Sequence, residues 1–248
     1  MDNNIFFKGK MPYGEMAVMW VLKKPNGFNL SDSYQRIIIQ SSSEFSGNNY
    51  SFIKPLNEDL PNFQIYLIGQ YLETRETRQY PDNFGLVQKD FSYPSILNYK
   101  IYISNTHIFC MGNLEIIKDI LVRHSGKPNF VIEGIDLDKI ETGFSRGLIG
   151  VSGQRYKSEQ GTLIKSVRKV EPISFVCDES SFETGEDIDR EYLEVLVTID
   201  EISKRFNIYP NGKITYRGKF EQEQNPFIIM KRVYDKILDT IESVKENE

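Results

Sequence analysis

One pattern of strand, tight turn, strand and helix occurs twice in this sequence, and it limits the possible folds more than any other feature. The first copy runs from Ile101 to Leu121 and the second from Phe206 to Val244. A hairpin followed by a helix, found twice, predicts a pseudo-symmetric sheet with helices on one face. In each copy a glycine follows the asparagine of the turn by seven residues: Gly112 after Asn105-Thr106, and Gly218 after Asn211-Gly212.

Both copies carry signals for the start of a helix. Asn113 is a good N-cap for a helix from Leu114 to Arg123, and Asn225 followed by Pro226 predicts the start of the last helix. The fold class predicted is α+β, with a mainly antiparallel sheet, two hairpin-plus-helix units and helices on one face. The apolar residues of the last helix fall on one stripe, at Met230, Val233, Ile237, Ile241 and Val244.

Further strands are predicted where apolar residues form short runs or alternate with polar ones. The polar stretch from Thr74 to Pro94 contains three prolines or glycines and predicts a long surface loop instead. We expect a β-rich half at 1–128 and a second half at 129–248, or one continuous domain, and the sequence leaves open whether residues 1–95 form a separate domain. The predicted strands are Glu15 to Lys24, Tyr34 to Gln40, Phe63 to Glu73, Asn129 to Ile135, Ile173 to Cys177 and Leu193 to Ile199.

The composition is that of a globular protein and excludes several classes. The chain has 248 residues, 40% apolar and 26% charged, which is enough to bury a core. A net charge of -5 excludes a protein that is basic throughout, so contact with nucleic acid requires a local patch. Cys110 and Cys177 lie in apolar runs and predict reduced core thiols in a cytoplasmic protein. No apolar run approaches the roughly 18 residues of a membrane span, and no signal peptide is predicted.

The second copy resembles one half of the saddle of the TATA-binding-protein family. The residues that carry the resemblance are Asn207 to Gly218, with the alternating strand Leu193 to Ile199 in front of them. Tyr102 to Gly112 in the first copy is a looser match. The resemblance implies a sheet whose concave face binds nucleic acid, where aromatic side chains wedge between base steps. Phe109 and Tyr216 lie in the matching hairpin strands.

The strongest candidate for a binding site is the glycine-rich stretch from Gly143 to Lys169. It contains six cationic residues and one acid, Glu159, and its glycines allow backbone N–H groups to approach an anion. Cations, exposed amides and a ring for stacking are what a phosphate backbone or a nucleotide requires. The alternative is a solvated basic loop and edge strand without a ligand. The predicted site consists of Arg146, Arg155, Tyr156, Lys157, Lys165, Arg168 and Lys169.

No motif in the sequence identifies a reaction, so no catalytic residue, metal site or cofactor is predicted. His107 and His124 have no ligand at metal-binding spacing, and Cys110 points away from His107 on a strand. The alternative is a divergent metal-dependent nuclease or hydrolase that uses acids such as Asp136, Asp138 and Asp200. Other fragments of such a centre are Glu133 and Glu141, with the Asp200-Glu201-Ile202-Ser203-Lys204 segment.

The sharpest change in composition is the segment from Asp178 to Glu191, which holds seven acidic residues and one arginine. It predicts a solvated loop, and the alternatives are a docking surface for a protein partner or a shield for the basic stretch. We therefore predict a non-catalytic binding protein, a subunit of a larger assembly, that contacts nucleic acid or a phosphate-bearing ligand. A subunit engaged only in protein–protein interaction is a further alternative.

Overall fold

Antiparallel sheet makes up most of the described chain. The computed structural model contains eleven strands and three helices within the residues that it describes. These residues form two compact units: a central unit, Trp20–Glu133, and a C-terminal unit that comprises Met16–Met19 and the residues from Gly134 onward. The predicted division after residue 128 stays a prediction. The structure describes residues 16–39, 49–82, 85–127, 129–145, 150–158, 161–166, 189–199, 202–218, 220 and 224–246.

The central unit is a sheet with one helix, α1, at Leu114–Ser125. Its strands are adjacent in the order β2-β3-β4-β5-β6-β1, and each neighbouring pair from β2 to β6 is antiparallel. Only the second half of β1, from Trp20, belongs to this unit. The strands are β1 at Met16–Lys23, β2 at Gln35–Ile38, β3 at Tyr50–Leu56, β4 at Gln64–Asp82, β5 at Gly85–Ile103 and β6 at His107–Met111.

One face of this sheet and the apolar stripe of α1 form the core of the central unit. Strand residues with a period of two meet helix residues that recur every three or four positions, so each element buries one side. Burying one such aliphatic side chain contributes about 1.5–3 kcal/mol. The helix contributes Leu114, Ile117, Ile120 and Leu121, and the strands contribute Leu22, Ile53, Tyr66, Ile68, Ile101, Ile103, Ile108 and Cys110.

The junction between β6 and α1 is fixed by a glycine, a tryptophan hydrogen bond and an asparagine cap. Gly112 has φ 125°, and a Cβ at this position would collide with the Tyr99 ring, so only glycine fits. The Trp20 indole Nε1 donates a hydrogen bond of 3.1 Å to the Gly112 carbonyl oxygen. The Asn113 side chain accepts from the backbone N–H groups of Glu115 and Ile116, which confirms the predicted N-cap.

The predicted surface loop from Thr74 to Pro94 is wrong. The structure places β4 and β5 there, two strands of 19 residues that pair from Gln64 opposite Ile103 to Asp82 opposite Gly85. The prediction rested on the polarity of the stretch and on Pro81, Gly85 and Pro94, whereas strand pairing satisfies backbone groups through hydrogen bonds that need no apolar side chains. The stretch is rich in Thr and Tyr, which strands favour.

The C-terminal unit has strands in the order β11-β10-β9-β7-β8, paired antiparallel where register is defined. The predicted strand from Leu193 to Ile199 is confirmed as part of β9. The strands are β7 at Gly150–Ser158, β8 at Gly161–Ser166, β9 at Asp189–Ile199, β10 at Ile202–Ile208 and β11 at Lys213–Arg217, and the helices are α2 at Leu137–Ser145 and α3 at Pro226–Lys245.

The last helix begins as its sequence predicts. The Asn225 side chain accepts from the N–H of Phe227, and Pro226 occupies the first turn, where its missing N–H costs nothing. Gly143 in α2 lies against Thr240 of α3 so closely that a Cβ would collide with the threonine methyl group. The predicted stripe from Met230 to Val244 is buried, which confirms the amphipathic pattern.

The turn at Asn211-Gly212 is confirmed, but its geometry differs from a two-residue turn. Only Gly212, with φ 72°, is left-handed, and its N–H donates to the Tyr209 carbonyl oxygen at 3.2 Å. Tyr209 N–H also donates to the Lys213 carbonyl oxygen at 2.9 Å. This is a three-residue loop, in which Pro210 presets the type I turn and the glycine forms a bulge.

Both hairpin-plus-helix units are therefore present, as β5–β6–α1 and β10–β11–α3, while their origin by duplication stays a prediction. The predicted strand from Asn129 to Ile135 is reduced to a single bridge between Leu22 and Ile132. Ile173 to Cys177 lies outside the described residues. None of the described helices is long and apolar enough to cross a membrane.

Candidate nucleic-acid interface

The basic stretch predicted as a glycine-rich loop is mostly a hairpin where the structure describes it. Arg155, Tyr156 and Lys157 are in β7, and Lys165 is in β8. Arg155 pairs with Ile164, and Lys165, the next residue along β8, pairs with Gln154. The three remaining predicted cations, Arg146, Arg168 and Lys169, lie outside the described residues.

One glycine of this stretch lies beside a bulge in its strand. Val151 pairs with Val195 and Gly153 pairs with Glu194, so Ser152 is an extra residue in β7. Such a bulge bends the strand, and a glycine beside it is common because it has no side chain to place. The expected role of Gly153 in approaching an anion therefore stays a prediction.

The end of the acidic segment belongs to the same sheet. Asp189 is opposite Lys157 and Arg190 is opposite Tyr156, where β9 pairs with β7. The prediction of a loop from Asp178 to Glu191 is wrong for its last three residues, because they belong to β9. Residues 178–188 lie outside the described residues.

Two of the acids proposed for a metal-dependent nuclease, Asp136 and Glu133, have structural roles. Asp136 Oδ1 accepts from the N–H groups of Asp138 and Lys139 at 3.1 and 3.2 Å, which caps the start of α2. Glu133 lies 3.3 Å from Lys23 Nζ. In the part of the chain that the structure describes, no three His, Cys, Asp or Glu residues are grouped as metal ligands. Asp200 lies outside that part.

The described cysteine does not have the surroundings of a nucleophile. Cys110 is fully buried in the core of the central unit, and burial raises the pKa of its thiol far above the ordinary value. His107 lies beside the turn, where its Nδ1 is 2.8 Å from the Thr106 hydroxyl and its Nε2 is 3.8 Å from Glu133. The two residues are on opposite sides of β6 because they are three positions apart.

A buried serine and a partly buried histidine meet between β3 and the end of α1. Ser51 Oγ is 3.1 Å from His124 Nε2, and the Nδ1 of His124 is buried with no partner among the described residues. Burial lowers the pKa of His124, the Ser51 hydrogen bond opposes this, and Arg123 adds to it. Because Ser51 has no exposed surface, a substrate cannot reach its hydroxyl, and we interpret the pair as structural.

Sequence reasoning missed an aromatic surface on the side of the central sheet that faces away from α1. Side chains from four strands meet in one row because Ile38 pairs with Tyr50, Tyr50 with Tyr71, and Tyr71 with Ile96. The Tyr50 and Tyr71 rings are nearly parallel, with centroids 5.1 Å apart. Together with Tyr34, Arg36 and Phe52, these four residues form what we call the aromatic face.

The second row of the aromatic face is built on a glycine. Arg36 pairs with Phe52, and Phe52 pairs with Gly69, where a Cβ would lie 2.7 Å from Phe52 Cζ. The missing side chain lets the Phe52 ring lie over the strand. Tyr34 stacks on Phe52 with centroids 6.3 Å apart, and the Arg36 guanidinium lies 3.7 Å from the Tyr50 centroid. Aromatic residues at alternate positions, as in Tyr50-Ser51-Phe52, were the available signal.

A polar cleft of about 330 Å³ in the central unit is a weaker candidate for a binding site than the aromatic face. Lys24 Nζ, one of its lining groups, donates to the Ser104 carbonyl oxygen at 3.3 Å. Asn62 has φ 69°, which is the left-handed position of a type II turn after Pro61, and Phe63 N–H closes that turn on Leu60. Local structure therefore explains both the hydrogen bond of Lys24 and the left-handed conformation of Asn62.

Comparisons with known proteins do not assign the chain to a family. No family model matches it, and no curated protein or solved structure is significantly similar to it. The resemblance to the TATA-binding-protein saddle therefore gains no support from them.

Proposed function

We propose that this protein is a non-catalytic, cytoplasmic binding protein that contacts nucleic acid or another phosphate-bearing ligand through the β7–β8 hairpin. The observation that carries the proposal is the strand register. In that register Arg155 and Lys157 are two positions apart on β7, and Lys165 on β8 pairs with Gln154, the neighbour of Arg155. Several cations close together are what a phosphate backbone requires, because each one releases a condensed counterion.

The position of the hairpin in the strand order also supports the proposal. β8 stands at the end of the order β11-β10-β9-β7-β8, so within the described residues it pairs with β7 only. An edge strand is accessible along one side, which is where a ligand can approach. The cations in this strand and its neighbour otherwise serve only to block aggregation, and binding measurements distinguish the two roles.

The other two candidate functions have less support. A nuclease requires converging carboxylates, whereas Asp136 caps α2 and Glu133 pairs with Lys23, and no three metal-ligating side chains are grouped among the described residues. A subunit that binds only proteins, with the acidic segment at 178–191 as its docking surface, stays a prediction. Membership of a larger assembly is part of the proposal and is tested separately by pull-down.

Fluorescence anisotropy with labelled DNA and RNA, single- and double-stranded, tests the proposal over a series of salt concentrations. Binding should weaken as salt rises, because salt competes with the cations for phosphate. The Arg155→Gln/Lys157→Gln variant should reduce the slope of log affinity against log salt by about 0.7–0.9 for each phosphate that it no longer neutralises. Adding Lys165→Gln should reduce the slope further.

The matched control is Lys236→Gln/Lys245→Gln, which removes the same charge from exposed positions on α3. We expect that variant to bind as the wild type does. If the hairpin variants also bind unchanged, the hairpin is not the site. Cleavage of the probe that requires magnesium would instead favour the nuclease.

A further inference from the structure

The aromatic face carries large side chains that the fold leaves open to solvent. The exposed fraction is 55% for Tyr34, 72% for Ile38 and 52% for Ile96. All three lie on the same side of the sheet, away from the core that α1 covers. A group of exposed apolar side chains on one surface is characteristic of a binding site, because each exposed ring or methyl group is unfavourable in water.

Two cations lie on this surface, Arg36 and Lys54. Arg36 and Lys54 have no carboxylate partner among the described residues. Lys54 follows Phe52 by two positions on β3 and shares its side of the sheet. Glu73 lies beyond Tyr71 on β4, at the opposite end of the surface from Lys54. Lys54 at one end and the Arg36 guanidinium over Tyr50 therefore give this surface charge complementary to phosphate.

The stacking order of the rings decides which of them can receive a base. One side of the Tyr50 ring faces Arg36 on β2 and the other faces Tyr71 on β4. Both faces of the Tyr50 ring are therefore occupied, and no base can stack on it. The stack holds the Arg36 guanidinium in place and leaves the N–H groups at the edge of the guanidinium available for a phosphate. Tyr34 stacks on Phe52 and is more than half exposed, so its outer side is open to stacking.

We propose that the aromatic face is a second nucleic-acid site, and that it binds single strands. A base stacks on Tyr34, while Arg36 and Lys54 bind the adjoining phosphates. The inference rests on the proposed function, since it assumes that the chain binds nucleic acid, and it adds the class of ligand. Stacking on a ring requires an unpaired base, and a duplex hides its bases, so this surface discriminates between the two forms.

The test compares variants of the whole chain in anisotropy against a labelled single strand of about 12 nucleotides, within the roughly 4–16 nucleotides that one single-strand-binding OB fold covers. A duplex of the same sequence is measured in parallel. Tyr34→Ala should weaken single-strand binding about 5-fold to 150-fold, the range found when one base loses its aromatic partner. Arg36→Gln/Lys54→Gln should reduce the salt slope for the single strand by about 0.7 for each phosphate left without its cation.

Arg123→Gln is the control for charge, because Arg123 lies on α1 and is paired with Asp119 at 2.9 Å. Val131→Ala is the control for loss of an exposed apolar side chain. Neither control should change single-strand affinity. Circular dichroism of each variant checks that it is folded, and all five substitutions are at surface positions or in surface pairs.

The outcomes separate this inference from the proposed function. If Tyr34→Ala removes the preference for single strands while duplex binding through the hairpin persists, both proposals are supported. If the hairpin variants lose all binding and Tyr34→Ala loses none, the hairpin site stands and the aromatic face does not bind nucleic acid. If the wild type binds no nucleic acid at low salt, both are overturned, and the exposed aromatic residues indicate a protein interface instead.

Discussion

The two hairpin-plus-helix units reach the same order of elements by different local chemistry. In the first unit the turn is closed by Ser104, whose Oγ accepts from the N–H groups of Thr106 and His107. In the second unit the turn needs the left-handed Gly212. Both helices start at an asparagine cap, but α1 ends at a left-handed Gly126 and α3 ends at Glu246 in a right-handed conformation.

The closing glycines show the same difference. Gly112 has a positive φ, whereas Gly218 does not, yet a Cβ at either one would meet a tyrosine ring, that of Tyr99 or that of Tyr216. A glycine at the same spacing is therefore required for backbone conformation in one unit and only for space in the other. Equal spacing of residue types indicates similar geometry, and the physical reason must be found separately in each unit.

Removing a core side chain from the helix of each unit should cause the largest loss of stability. Ile117 and Ile237 are both fully buried, so Ile117→Ala and Ile237→Ala should each lower the free energy of unfolding by about 2–5 kcal/mol. Urea denaturation measures the loss. Glu115→Ala and Lys236→Ala, at exposed positions of the same helices, are the controls. A loss below about 1 kcal/mol would mean that the helix in question is not held by its stripe.

Replacing the closing glycine should lower the stability of the first unit more than that of the second. Gly112→Ala combines a strained backbone with a collision and should cost about 2–4 kcal/mol, while Gly218→Ala only displaces the Tyr216 ring and should cost about 1 kcal/mol. Denaturation midpoints compare the two variants. Equal losses would contradict the different roles assigned to these glycines.

Removing the helix caps should lower the stability of the two units by smaller amounts that differ less from each other. Asn113→Ala leaves two backbone N–H groups without their acceptor, and Asn225→Ala leaves one, so losses of about 1–2 and about 1 kcal/mol are expected. Thermal unfolding followed by circular dichroism measures both. Asn113→Asp and Asn225→Asp, which keep a capping oxygen, should retain most of the stability. If the aspartate variants lose as much as the alanine variants, the capping hydrogen bond is not the cause.

The smallest expected effect is a dependence of the free energy of unfolding on pH, which comes from His124 in the first unit. The pKa of His124 is lowered by burial in the folded state, so the unfolded chain takes up a proton first as the pH falls. Its contribution to stability is complete above the unfolded pKa of about 6.5 and is lost as the pH falls from there through the folded pKa. The slope for one group cannot exceed about 1.4 kcal/mol per pH unit.

Unfolding measured between about pH 7.5 and about pH 5 tests this dependence, since this range brackets the ordinary histidine pKa of about 6.5. The His124→Gln variant should lose this part of the slope, and His107→Gln should keep it. If His124→Gln leaves the slope unchanged, carboxylates elsewhere are responsible.

Features that depend on nearby residues were predictable from the sequence. The caps at Asn113 and Asn225, the stripe of α3 and the strand within β9 are set by side chains a few positions apart, and all are present. The strand at Phe63 to Glu73 was predicted, but the outer part of the β4–β5 pair, from Thr74 to Pro94, was missed because backbone hydrogen bonds join two polar stretches that have no hydrophobic pattern.

The candidate site was predictable only in part. The cations of β7 and β8 are close in sequence and were named as a candidate site, although in a loop rather than a hairpin, and their role in binding stays a prediction. The aromatic face was missed because Ile38, Tyr50, Tyr71 and Ile96 become neighbours only through the register of four strands. Non-local register is fixed by the whole sheet, so no window of the sequence contains it.

The hydrogen bond between Trp20 and Gly112 has a spectroscopic consequence. The chain has one tryptophan, so indole fluorescence reports one location, the junction that closes the first unit. Far-ultraviolet circular dichroism, in contrast, is sensitive to the helices of both units. Two denaturation curves recorded on one sample therefore show whether the units melt together, since a change in indole emission ahead of the helical signal marks the first unit as the one that opens first.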